Sequence, residues 1–597
     1  MVKGVGGYPV WHAVSIRVVF VKPAQLRVLA RLRQRLSVLY GKDQGEALLS
    51  RLDEVLEGRV EPSEQLGPRW SERDTVLITY ADIVRGRKRS PLRVLGEFIH
   101  QRLPGAIGAV HLLPFYPSSS DGGFSVINYR EVDPEFGDWE AVEALRREAG
   151  VDLMFDLVLN HCSRESHYFR DFLRGKGQGK DYILSGDEDG DWSQVIRPRV
   201  TPLFHEVETE MGLKSVWTTF SADQVDLDWK NPEVLFEFIE IIFGYIERGA
   251  SIVRLDAVAF LWKEEGHSCV HHPKTHEMVK FFRDLVSLVA PGVTLLTETN
   301  VAHHENVSYF GLSDEAHMVY QFTLPPLLLY SLLRGESVRL QEWVNSLSNT
   351  PPGCTYLNFT ASHDGIGLRG LEGWVEGEDL EWLVKEAEKR GSLLGKRTLE
   401  GGKVAVYELN VTYRQVLGVE GDAEMGARRF ICSQAVMLSL QGVPAVYFHS
   451  LVGSGNWEDG PRLEGGENRD INREKLMVRE LERELDDPDS ERSWILAVYT
   501  TMLRVRRRTR AFSPEVGQRV LACPEGLFLL VREPEDGPAV LCCFNFREEP
   551  AAVPREVVEE IFGDAARVVN LLAREDELVP SDGVKLRAYG CAWLMSA

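Results

Sequence analysis

The chain of 597 residues predicts an α/β protein whose centre is a (β/α)8 TIM barrel. Three observations predict it. Eight short apolar runs recur along the sequence: 75–81, 109–115, 151–161, 250–258, 293–300, 317–322, 354–363 and 444–450. Helical patterns separate them, and runs that are apolar on both faces belong to parallel sheets covered by helices. Polar residues gather at their C-terminal ends, the end at which barrels of this kind carry their sites.

Taken in order, residues 1–73 carry two amphipathic helical patterns, roughly 24–40 and 44–57, and read as an N-terminal helical extension. Residues 74–510 hold the barrel. Its clearest helix runs from Asn231 to Arg248, with Asn231 as N-cap and Pro232 in the first turn. Val234, Leu235, Phe238, Ile241, Ile242 and Tyr245 follow at helical spacing, and Gly249 ends it. Two connections are too long for a plain barrel, about 88 residues after the third run and about 80 after the seventh. Insertions at 163–230 and 365–430 are therefore expected over the mouth. From 511 to 597, strand-like pieces (LFLLVRE, AVLCCFNF, CAWLMSA) alternate with Gly and Pro turns, which predicts a small C-terminal all-β domain.

A formal net charge of −22 argues against nucleic acid as a partner, because neutralising phosphates needs a basic surface. The eight cysteines are scattered and suggest no disulfide framework. The apolar stretch VWHAVSIRVVFV is broken by His12, Ser15 and Arg17 and lacks a following cleavage site. The expectation is a cytoplasmic protein with no membrane partner, monomeric or homodimeric.

GASIVRLDAV (249–258) carries the most chemistry. Arg254 and Asp256 stand two residues apart in an apolar strand and so share a face. Burying such a pair is costly unless each charge finds partners, so it reads either as a functional site or as a structural ion pair. Glu298 and Asp364 fall at or just past the ends of the fifth and seventh strands, and His161 and His363 at similar heights on the third and seventh. Two carboxylates across a barrel mouth suit retaining glycosyl transfer, one as nucleophile and one as acid/base. Arg254 would hold Asp256 ionised, and Glu298, at the end of an apolar run, would keep its proton.

DLVLNH (156–161), VRLDAV (253–258), TETN (297–300) and ASHD (361–364) resemble, in order, the four signature regions of the alpha-amylase superfamily, glycoside hydrolase family 13. The resemblance implies Asp256 as nucleophile, Glu298 as general acid/base and Asp364 as transition-state stabiliser. It places Arg254, His161 and His363 around a glucose unit. FYPSSSDGGFSVINY (115–129) and ENRDINR (467–473) resemble the sucrose phosphorylase branch. That implies Asp121 on the glucosyl hydroxyls, Phe124 packed on the ring, and Arg469 paired with Asp121. IRPRVTPL (196–203) resembles the branch's phosphate-binding loop, with Arg199 as ligand and Tyr407 joining it.

For the acceptor, Ala405 and Glu408 stand where sucrose phosphorylases carry an aspartate and a glutamine. RPRVTPL, VWTTFSADQVDLDW (216–229), DEAHMVYQFTLPPL (314–327) and VYELNVTY (406–413) instead resemble glucosylglycerate phosphorylases. The implied reaction is reversible cleavage of 2-O-α-glucosylglycerate by inorganic phosphate to α-D-glucose 1-phosphate and D-glycerate, with no cofactor and no metal. Sucrose, sucrose 6′-phosphate and glucosylglycerol phosphorylases are alternatives; a glucosidase or transglucosylase of the same fold and a noncatalytic sugar-binding barrel are more distant rivals. Lys396 and Arg397 are candidate partners for the glycerate carboxylate. HSCVHHPKTH (267–276) fits no common zinc spacing, and the family resemblance implies a metal-free loop near the mouth there; 303–305 reads as a surface loop. Trp217, Trp229 and Trp262 read as packed aromatics or as sugar platforms.

Overall fold

A computed structural model describes residues 23–60, 69–186, 189–197, 199, 201–347, 349–398, 404–563, 567–573 and 584–597. The stretch VWHAVSIRVVFV lies outside the described residues.

Eight parallel strands close into a barrel: β1 (Val76–Thr79), β2 (Ala109–Leu112), β3 (Asp152–Val158), β4 (Ala250–Asp256), β5 (Thr294–Thr297), β6 (Met318–Tyr320), β7 (Thr355–Phe359) and β8 (Val443–Tyr447). Each lies inside its expected run or within one residue of it. Neighbours in sequence are neighbours in space, and β8 pairs back onto β1. β1 and β5 to β8 are buried at every position, as strands enclosed on both faces must be.

The helix before β4 spans Pro232–Glu247, and the Asn231 side chain accepts from the Glu233 amide at 3.0 Å. Its apolar positions pack on the barrel, each buried side chain contributing about 1.5–3 kcal/mol over exposure. Gly249 follows at φ +93°, which a side chain would strain. The register set by β3 against β4 places Asp156 beside Arg254 and Val158 beside Asp256.

The N-terminal patterns form three helices, Pro23–Tyr40, Lys42–Ala47 and Leu49–Leu56, the second pattern being broken near Leu48. Arg31 and Arg35 of the first reach Asp284 on the helix Pro273–Val289 at 2.5 and 2.8 Å, and Arg35 also reaches Glu277 at 2.9 Å. The extension is thereby held on the barrel's flank.

The C-terminal strands Gln518–Val520, Leu527–Arg532, Val540–Asn545, Cys591–Ser596 and Val568–Asn570 make one antiparallel sheet in that spatial order. A second pair is Ala551–Val553 with Val584–Leu586, and a short helix, Arg555–Phe562, follows the first of these strands in a region expected to be all β. Arg506 joins this module to the barrel floor. Its guanidinium is fully buried and donates to the carbonyls of Glu72, Asp74, Leu438, Gly442 and Phe512. All eight cysteines are unpaired. Among the described residues no helix is long and apolar enough to cross a membrane.

Candidate active site

At the C-terminal end of the strands, a cavity with about 540 Å³ of empty volume is lined by Asp121, Phe124, His161, Arg199, Arg254, Asp256, Glu298, His363, Asp364, Tyr407 and Arg469. Every expected catalytic, glucose-binding and phosphate-binding residue lies on this wall except Glu408, which pairs with Arg469 from behind it, and the two candidate acceptor partners, Lys396 and Arg397, are not on it. Phe220, Gln224, Ala257 and Asn300 complete the lining.

Arg254 is the electrostatic centre. Its Nη1 donates to Asp256 Oδ1 at 2.7 Å and also contacts Asp156. Asp156 is fully buried and takes a second partner, His111 Nε2, at 2.7 Å. Burial alone would raise the Asp156 carboxyl, but His111 and Arg254 bring it down to about 2. It therefore stays an anion that fixes the guanidinium beneath Asp256. Sequence reasoning missed Asp156 and His111, although Asp156 opens the DLVLNH motif; the missing signal was strand register.

Glu298 follows β5 and sits against the same spot, accepting from the Ala257 amide at 3.3 Å. Burial foremost, then the neighbouring carboxylates, raises both Asp256 and Glu298, so this pair retains a proton above the ordinary carboxyl range. The proton belongs on Glu298. Asp256 accepts a charge-assisted bond from Arg254, whereas Glu298 accepts only a longer one from a neutral amide.

Asp364 is held differently. Burial would raise it, but Arg469, whose Nη1 lies 2.6 Å from Oδ1, holds it far below the usual range with help from His363 and Arg473. Arg469 also grips Glu408 through two bonds, at 2.9 and 3.2 Å. This corrects the expected pairing of Arg469 with Asp121, whose partner is Gln224 Nε2 at 3.0 Å. Glu408 further accepts from the Gly365 amide at 3.0 Å, so its carboxylate braces the loop that carries Asp364.

Stacked rings line one end of the cavity. Phe124 and His363 lie parallel with centroids 4.9 Å apart. Burial lowers His363 to about 3 and lowers His161 as well, leaving both imidazoles neutral. His161 Nε2 donates to the Phe124 carbonyl at 3.1 Å, and Nδ1 faces the Asn160 amide at 3.3 Å. The DGG turn behind Phe124 needs its glycines. A Cβ on Gly122 would come within 2.7 Å of the Tyr80 hydroxyl, and one on Gly123 within 2.5 Å of the Pro114 carbonyl. Both have positive φ.

The other end is built from the insertions. The Arg199 guanidinium lies 5.6 Å from the Phe220 ring centroid, and the Tyr407 hydroxyl accepts from Asn300 Nδ2 at 3.3 Å. Burial pushes that phenol up to about 12, so it remains protonated. Beyond Phe220, Glu298, Asn300 and Tyr407 lies a second cavity, about 560 Å³ of empty volume, lined also by Arg197, Arg369 and Arg397. Lys396, the other candidate, is exposed and not on its wall.

Several neighbouring motifs resolve into structural roles. His272 caps the helix Pro273–Val289 by accepting from the Lys274 amide, His276 meets Glu315 at 2.8 Å, and His271 meets the Tyr309 hydroxyl at 2.9 Å. Residues His303–Val307 form a short helix instead of the expected loop, because Glu305 reaches back to the Ala302 amide at 3.2 Å. Trp217, Trp229 and Trp262 are buried away from the cavity.

Residues 105–364 match the family model of the alpha amylase catalytic domain. The chain is 43% identical to the glucosylglycerate phosphorylase of Spirochaeta thermophila, over 94% of this chain and 98% of that protein. It is 41% identical to that of Allomeiothermus silvanus, over 87% and 93% respectively. The crystal structure of sucrose 6F-phosphate phosphorylase from Thermoanaerobacter thermosaccharolyticum superposes with a TM-score of 0.69 at 25% identity, covering 79% of this chain and 94% of that one.

Proposed function

Since the chain belongs to the alpha-amylase family, alongside the glucosylglycerate phosphorylases that it matches over nearly its whole length, we propose that it is a retaining glycoside phosphorylase acting on 2-O-α-glucosylglycerate. The products are α-D-glucose 1-phosphate and D-glycerate, and the reaction is reversible. The single observation that carries the chemistry is the pair of carboxylates facing one cavity, Asp256 on an arginine and Glu298 on a neutral amide.

In the first step an Asp256 oxygen attacks the anomeric carbon as its bond to the glycerate oxygen breaks, and Glu298 gives its proton to that leaving oxygen. A β-glucosyl ester on Asp256 results. In the second step a phosphate oxygen attacks the same carbon, its proton passes to Glu298, and Asp256 leaves as the carboxylate. Two inversions restore the α configuration. Asp364, kept anionic by Arg469, stabilises the positive charge that develops on the sugar ring in both transition states.

His161, Asp121 and Arg469 hold the glucosyl hydroxyls, while Phe124 covers the ring and closes the pocket to longer glucans. Arg199 and the Tyr407 hydroxyl present donors to phosphate, an arginine fork and a neutral phenol on the insertion side of the cavity. Orthophosphate is the co-substrate, and every step is carried by side chains. The unpaired cysteines support a reducing, cytoplasmic setting.

The reverse reaction tests the acceptor. Glucose 1-phosphate is offered with D-glycerate, glycerol, fructose or fructose 6-phosphate, and the expected result is preferential transfer to glycerate. Preference for fructose would move the enzyme to the sucrose phosphorylases.

A further inference from the structure

The second cavity has an unusual charge for a wall shared with the reaction centre. Among the described residues that line it are three guanidiniums, those of Arg197, Arg369 and Arg397, and one carboxyl group, that of Glu298. The arginines are weakly compensated. Arg369 and Arg397 share Glu372 at 3.3 and 3.5 Å, and Arg369 reaches Glu305 at 3.4 Å; Glu372 and Glu305 stand outside the lining. Arg397 Nε is buried without a hydrogen-bond partner among the described residues. Arg197 Nη1 is turned to the Pro202 and Thr218 carbonyls, both at 3.1 Å. Positive charge with an unused buried donor is costly unless an anion completes it.

Position selects the anion. The cavity meets the glucose pocket at Glu298, the group placed to protonate the leaving oxygen, so a group on the adjoining carbon of the acceptor has room to enter here. Phosphate has its own cation, Arg199, on the wall of the first cavity and not of the second. We propose that the Arg369–Arg397 wall of this second cavity binds the carboxylate of the acceptor and so selects a 2-hydroxy acid over a neutral polyol. The assignment rests on the phosphorylase reading above and adds the residues that set its acceptor specificity. The two arginines come from separate parts of one insertion, the turn Arg369–Leu371 and the strand Leu393–Thr398, so the carboxylate would also tie these segments together on binding.

The experiment compares D-glycerate with glycerol as acceptors for glucose 1-phosphate, in the wild type and in Arg369→Ala, Arg397→Ala and Arg397→Lys. The readout is the ratio of kcat/KM for the two acceptors within each preparation, which does not depend on the fraction of folded protein. Each alanine variant should lower the glycerate-to-glycerol ratio by about 10- to 100-fold, the range for losing a hydrogen-bonded charge partner. The lysine variant should recover part of it, because the charge remains while the planar fork is lost. Equal loss with both acceptors, which leaves the ratio unchanged, or a loss confined to the KM for glucose 1-phosphate would overturn the assignment. If the wild type itself prefers glycerol or fructose, the phosphorylase reading of the acceptor fails first; a wild type that prefers glycerate with variants that keep that preference sinks only the arginine assignment.

Discussion

The two halves of the active site are made in different ways. The glucose half stands on barrel strands, where β3 and β4 fix Asp156, Arg254 and Asp256 through backbone register and the ion pairs are buried. The acceptor half is drawn from insertions, with Arg199, Phe220, Arg397 and Tyr407 on loops and hairpins whose side chains meet through longer contacts. The contrast teaches that chemistry needing a fixed carboxylate is placed on the sheet, and chemistry that defines the partner on loops that change without disturbing it.

That contrast can be broken most severely at Asp256. Asp256→Asn should lower kcat by about 10⁴-fold or more, because no covalent ester forms, and steady-state release of glucose 1-phosphate measures it. Next comes Glu298→Gln, with a loss of about 10²- to 10⁴-fold on glucosylglycerate. With α-glucosyl fluoride, whose leaving group needs no proton, the first step should be largely spared. The same proton gives the pH dependence its sign. Catalysis requires the singly protonated Asp256–Glu298 pair, whose affinity for that proton burial raises, so kcat/KM should fall on the alkaline side above the ordinary carboxyl range. Asp364, held low by Arg469, should impose no acid limb in that range.

On the insertion side, Arg199→Ala should raise the KM for phosphate about 10- to 100-fold and increase the share of the intermediate lost to water, with glucose measured against glucose 1-phosphate. Smallest is a change outside both halves. Asn231→Ala removes the helix cap and should cost about 1 kcal/mol in denaturant unfolding, leaving the acceptor preference where it was.

The same division explains what could be read from the sequence. The barrel was legible because eight enclosed strands leave apolar runs, and the acids because their motifs fall at strand ends. Asp156 and His111 escaped, since their partnership with Arg254 comes from the alignment of strands far apart in the chain. Arg469 was found, but not its partners: Glu408 on the strand Val404–Asn410 and Asp364 on the loop after β7 come to it from parts of the chain far apart in sequence. Arg369 was missed because it too is brought in by a loop distant in sequence, and Lys396 and Arg397, neighbours on the strand Leu393–Thr398, are told apart only by which of them lines the cavity.

The central claim is that phosphate, and not water, releases the sugar. It is tested by incubating 2-O-α-glucosylglycerate with the enzyme in the presence and absence of orthophosphate and following glucose, glucose 1-phosphate and glycerate together. The account predicts equal amounts of glucose 1-phosphate and glycerate with phosphate, and cleavage that nearly stops without it. Free glucose released at the same rate in both mixtures would contradict it.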